Sequence, residues 1–164
     1  MRLLVIKTVA LVIAALSLAP SFVHALESYP RLMIWPPELW REATVFNAQF
    51  IVFAVIGAPI DVLAILVPAG LTVLMRGRRP QFVLTLAATL TFGLGLILWF
   101  AIVATANGVL AGWVPGPVPA DFDAVRRQWE LGHLTIAAVK LIAFSLLALA
   151  CVWPQNANLG AGVS

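Results

Sequence analysis

Four apolar runs, each long enough to cross a bilayer, constrain this chain more than any other feature. They cover about 3–26, 45–75, 81–107 and 132–153. Roughly 20 apolar residues span a hydrocarbon core, and inside that core only a helix satisfies its own backbone polar groups. The expected fold is all-α, an integral membrane bundle of four transmembrane helices in a single domain, residues 1–164. Composition agrees. Hydrophobic residues make up 62% of the chain and charged residues 10%, against roughly 45–50% and about 25% in ordinary soluble domains. The second run contains Pro59 and Pro68, each of which removes one helical hydrogen bond. The first run has a rival reading. "MRLLVIK", an apolar stretch and "VHA" resemble a signal peptide cleaved after Ala25, although we take the run as a retained helix.

The net charge is +3 and the pI about 9.8. In a soluble chain that would suggest nucleic acid, but here the basic residues are scattered at segment ends, so no nucleic-acid partner is expected. They serve orientation instead. Arg76, Arg78 and Arg79 crowd the short loop "RGRRP", and Arg2 and Lys7 flank the first run. The positive-inside rule then puts both termini on the cytoplasmic side of an inner or plasma membrane. The longer connections, about 27–44 and 108–131, face outward. They hold Arg31, Arg41, Arg126 and Arg127 and six of the seven acids. Their prolines and Tyr29, Trp35, Trp40 and Trp113 predict extended segments forming an interfacial belt or a lid. The tail "PQNANLGAGVS" is expected to be disordered, and Cys151 to be a small buried hydrophobe.

The stretch "RRQWELGHLTIAAVK" carries charge into the last run. Arg126, Glu130, His133 and Lys140 fall on one helical face, with Trp129 beside it. Such a face should point into the bundle. The first run supplies a counterpart, because His24 and Glu27 are three residues apart and match His133 and Glu130 in depth. Asn47 and Gln49 open the second helix and Asn107 ends the third, so all four helices send polar groups to one outer rim. Deeper in the membrane, Asp61 needs a partner, and Lys140 is the available base.

This layout resembles the small four-helix membrane proteins of the anthrone oxygenase-like family. The matching positions are His24 and Glu27 after the first helix, Asn107 closing the third, and Arg126, Trp129, Glu130 and His133 opening the fourth. The resemblance implies oxidation of anthrones to anthraquinones by molecular oxygen, without a dedicated cofactor.

Two classes of function follow from these residues. In the first, the chain is an oxidoreductase or oxygenase-like protein that takes a flat, apolar, phenolic or quinone-like molecule from the lipid. His133 or His24 would act as base, oriented by Glu130 or Glu27. Arg126 or Arg127 and Asn107 would stabilise the anion, with Asn47 at the same rim and Trp129 stacking on the ligand. A metal variant would place non-haem iron on His24, His133, Glu27 and Glu130, or haem between the two histidines. In the second class the chain is a non-enzymatic small subunit or lipid-interacting assembly factor, as a homo-oligomer or in a larger membrane complex. Gly93, Gly95 and the alanines of the last helix would then provide its contacts.

Overall fold

The computed structural model describes residues 1–47 and 51–154, apart from the side chains of 52–54. Gln49 and the tail beyond Pro154 lie outside the described residues. The helices are α1 (Arg2–Met33), α2 (Pro37–Arg41), α3 (Ile51–Leu74), α4 (Arg79–Leu98), α5 (Ala104–Leu110) and α6 (Phe122–Val152). Two π-helical turns interrupt them, Glu42–Phe46 after α2 and Trp99–Val103 between α4 and α5. No strand occurs among the described residues. Four segments are long and apolar enough to cross a membrane: Arg2–Met33, Val55–Leu74, Arg79–Leu110 and Phe122–Val152.

The pattern of α1 explains how these helices pack. It buries Lys7, Ala10, Ala14, Ser17, Ser21, His24, Ser28 and Arg31, in alternating steps of three and four, which is the a/d spacing of a coiled-coil seam. Every seam residue is small, polar or charged. The large apolar side chains Leu4, Val9, Val12, Leu16, Phe22 and Leu26 lie outside it, exposed. That reverses the arrangement of a water-soluble bundle. It suits a lipid solvent, in which small residues let backbones approach and polar residues bond across helices.

Opposite runs α6, antiparallel to α1 and held by a ladder of polar contacts. Lys7 Nζ donates to the Cys151 carbonyl at 2.8 Å. Lys140 Nζ donates to the Ser17 carbonyl at 3.2 Å. The rings of His24 and His133 stack with centroids 4.2 Å apart. Nearest the outer end, Arg31 Nε lies 3.0 Å from Glu130 Oε1, and Arg126 Nη2 donates to the Leu32 carbonyl. Each of α1 and α4 packs against both α3 and α6, which closes the bundle.

Two separate apolar cores result. The inner one gathers Ala10, Ala14, Ala64, Leu71, Met75, Ala88, Phe92, Ala143 and Leu147. The outer one is aromatic, built on Trp40, Phe122 and Trp129 with Val103, Ala106, Leu110, Val125 and Ile136. Within the outer core Gly132 lets α6 touch the second π turn. A Cβ there would stand 2.9 Å from Cγ2 of both Ile102 and Val103.

The outer connections depart from the sequence expectation. Residues 27–44 are mostly helical, since α1 continues through Pro30 to Met33 and α2 begins at Pro37. The Pro30 carbonyl accepts the amides of Ile34 and Trp35, and Pro37 occupies a first-turn position where a missing N–H costs nothing. The prolines therefore shape helix ends instead of holding the chain extended. Likewise α6 begins at Phe122, about ten residues before the apolar run, because Arg126 and Glu130 find partners inside the protein and leave no reason to unwind.

Candidate functional site

Between the two cores lies a cavity of about 470 Å³, within the roughly 300–1,000 Å³ range of small-molecule sites. Lys140 and Asp61 line its floor. His133 and His24 line the middle, and Trp129 and Asn107 stand toward the outer end. Both π turns contribute walls, Thr44 and Val45 from the first and Trp99 and Phe100 from the second. A π turn adds a residue to a helical turn and shifts the side chains beyond it, which is why such turns recur at functional sites.

The floor is a closed ionic cluster. Lys140 Nζ lies 2.7 and 2.8 Å from the two oxygens of Asp61. Ser17 Oγ donates to Asp61 Oδ1 at 2.6 Å. With the Ser17 carbonyl, all three ammonium protons have acceptors. The partnership expected of Asp61 and Lys140 forms, and Ser17, which the sequence reading missed, completes it. The Asp61 side chain remains 22% exposed, toward the cavity.

The two histidines meet, as their matched depth predicts. Their planes are 19° apart in a face-to-face stack. Trp129 packs edge-on against both, with centroids 5.3 Å from His24 and 4.3 Å from His133. Trp129 Nε1 donates to Asn107 Oδ1 at 2.8 Å. That bond fixes the amide of Asn107 so that its NH2 is the group left to donate to a ligand.

Other expected members of the site lie elsewhere. Glu130 is fully buried and does not line the cavity. Its Oε1 accepts from Trp40 Nε1 at 2.7 Å and pairs with Arg31. Glu27 is 42% exposed and sits 3.7 Å from Arg31 Nη1. Neither carboxylate orients an imidazole, because the arginine between them takes both. Arg126 closes the end of α1 through the Leu32 carbonyl and does not line the cavity. Arg127 is exposed on the outside of α6. Asn47 is exposed, ends the first π turn and is absent from the cavity wall. Trp40 is completely buried, so it belongs to the core and not to an interfacial belt.

The geometry bears on metal binding as well. Among the described residues no group of three or more His, Cys, Asp and Glu is gathered as a metal site. An iron between two imidazoles needs in-plane lone pairs that converge on it. Parallel rings facing each other do not offer that, and the two glutamates are committed to Arg31.

Arg31 is the residue that sequence reasoning most undervalued. Its side chain is fully buried. It pairs with Glu130 and donates from Nη2 to Thr44 Oγ1 at 3.0 Å. Its guanidinium also lies 4.8 Å from the Trp129 ring centroid. The signal was present, since Arg31 falls seven residues after His24 on the same seam. Arg41 was missed too. It donates to the carbonyls of Val114, Gly116 and Pro117, pinning the proline-rich connection across the outer core.

No protein-family model, curated protein or solved structure matches this chain.

Proposed function

We propose that the chain is a multi-pass protein of an inner or plasma membrane, with both termini on the cytoplasmic side, that binds a flat, apolar phenolic or quinone-like molecule in the cavity. The observation that carries this is the convergence of two histidines, an indole-fixed amide and an ion pair on one space within a single chain. Aromatic and aliphatic walls suit a planar ligand. The exposed apolar faces of the four helices suit a lipid surround.

His133 is the base in this reading, with the His24 ring stacked on it to hold its plane. The NH2 of Asn107 donates to the oxyanion that forms. An electron-rich anion of this kind reacts with molecular oxygen. In the reaction that the anthrone oxygenase resemblance suggests, a ring-flanked CH2 becomes a carbonyl with one oxygen atom, and the second oxygen leaves in water with the two hydrogens. The assembly-subunit reading is the weaker one. The cavity's polar groups point inward, and Gly95 spends its small size against Val139 and Lys140 of the same chain.

The test is direct. Protein purified in mild detergent is extracted and its small molecules identified by mass spectrometry. Quenching of tryptophan fluorescence by a hydroxylated naphthoquinone is then compared for wild type and His133→Ala. Saturable quenching that the substitution weakens at least about tenfold, equivalent to about 1.4 kcal/mol, supports the proposal. Equal quenching in both proteins would overturn it.

A further inference from the structure

At the opposite end of the bundle a second feature has no part in that chemistry. Arg76, Arg78 and Arg79 are all exposed in the turn between α3 and α4. The sequence holds no acid between Asp61 and Asp121, and Asp61 is occupied by Lys140. The ion pairs among the described residues belong to Arg31 and Lys140. The contrast with the outer end is sharp, because Arg31, Arg41 and Arg126 are buried and bonded within the protein.

Beside this turn runs a groove of about 280 Å³, walled by Ala69 and Val73 of α3 and Phe82 and Leu86 of α4, with Arg76 also in its lining. Its two hydroxyls are already spent. Thr72 donates to the Pro68 carbonyl and Thr89 to the Thr85 carbonyl, each at 2.8 Å. The groove therefore presents hydrocarbon along its length and a cation at its mouth. The start of α4 adds to the positive field, since Arg78 at its N-cap makes no side-chain cap and the first-turn amides face the turn.

We infer that this groove binds one anionic phospholipid, its phosphate held by the arginine turn and an acyl chain lying between α3 and α4. The inference rests on the membrane reading above but not on the outer cavity. Orientation by positive charge requires the arginines alone; a lipid site requires the arginines and the groove together. Guanidinium forks also grip phosphate bidentately, which lysine cannot do.

Native mass spectrometry of the full chain in detergent, with phosphatidylglycerol or phosphatidylcholine added, separates these cases. One phosphatidylglycerol should be retained in preference to phosphatidylcholine. Each arginine replaced by alanine should lower retention about fivefold. Ala69→Phe, which fills the groove without altering charge, should abolish the preference. The triple change of Arg76, Arg78 and Arg79 to lysine, which keeps charge and orientation, should retain the lipid more weakly than wild type. Equal retention of the two lipids overturns the inference. So does a lysine triple variant that holds phosphatidylglycerol as wild type does, or full retention by Ala69→Phe. If alkaline carbonate strips the chain from membranes, the membrane reading and the groove fall together. A carbonate-resistant chain without lipid preference removes the groove alone.

Discussion

Replacing Gly132 by alanine tests the packing that sets His133 in place. In an exposed helix the change would stabilise, because alanine is favoured over glycine by about 1 kcal/mol. Here the added methyl would stand 2.9 Å from two methyl carbons, Ile102 Cγ2 and Val103 Cγ2. Carbon contacts are comfortable at about 3.5–4.0 Å, so the neighbours must retreat by roughly 0.6–1 Å. Both belong to β-branched residues, which keep essentially one rotamer in a helix, and Val103 is fully buried. Overpacking of this kind costs about 1–3 kcal/mol. With two contacts compressed together we take the upper part of that range, leaving a net loss of about 1–2 kcal/mol after the propensity gain. In a chain of this size that lowers Tm by roughly 2–8 °C. The assay is thermal unfolding in detergent, followed by tryptophan fluorescence at a fixed scan rate. Val103→Ala in the Gly132→Ala background removes one obstacle, so the two changes together should cost less than their separate costs added. An unchanged or raised Tm for Gly132→Ala would refute the close approach, and with it the account of how His133 is held.

Three further outcomes are expected. Asp61→Ala should destabilise by about 3–5 kcal/mol by stranding the Lys140 ammonium, and the double change with Lys140→Ala by clearly less; a double variant as unstable as the single would argue against the pairing. Arg126→Ala should lower thermal stability by about 1–3 kcal/mol through the uncapped Leu32 carbonyl, while Arg127→Ala changes it by less than about 0.5 kcal/mol; ligand quenching, measured alongside, should change in neither. Cysteines placed at positions 38 and 77, in a Cys151→Ser background, should react with an impermeant thiol reagent from opposite sides of the membrane, and labelling from the same side would end the four-span topology.

Much of this arrangement was legible because long apolar runs simplify the problem. Run length alone specifies helices, and antiparallel neighbours of similar length align residues by depth, which is how His24 and His133 could be matched across more than a hundred residues. Asp61 and Lys140 were legible for a related reason, since a lone acid and a lone base deep in apolar runs have few alternatives to each other. The glutamates were not. Residues three apart on a helix differ by only about 60° in direction, so the spacing of Glu130 and His133 left open which neighbour each would meet. The answer lay in Arg31, hidden in a segment whose prolines suggested an extended loop. Trp40 left no local signal, because its burial depends on α6 extending outward to Phe122. The two π turns were equally silent, although each supplies a cavity wall.

The polar seam of α1 also dictates an order of events during synthesis. Ser17 and Lys140 are separated by 123 residues, and α6 carries the partners of Lys7, His24 and Arg31 as well. At about 5–20 residues per second, roughly 6–25 s pass between the emergence of the first helix and that of its mate. Through that interval the newborn α1 carries Lys7, His24 and Arg31 before the residues that α6 brings to them exist. Such a helix is poorly suited to release into lipid alone. Chains interrupted before residue 140 lack both Lys140 and Cys151, so the contacts that Ser17 and Lys7 make across the seam cannot form in them.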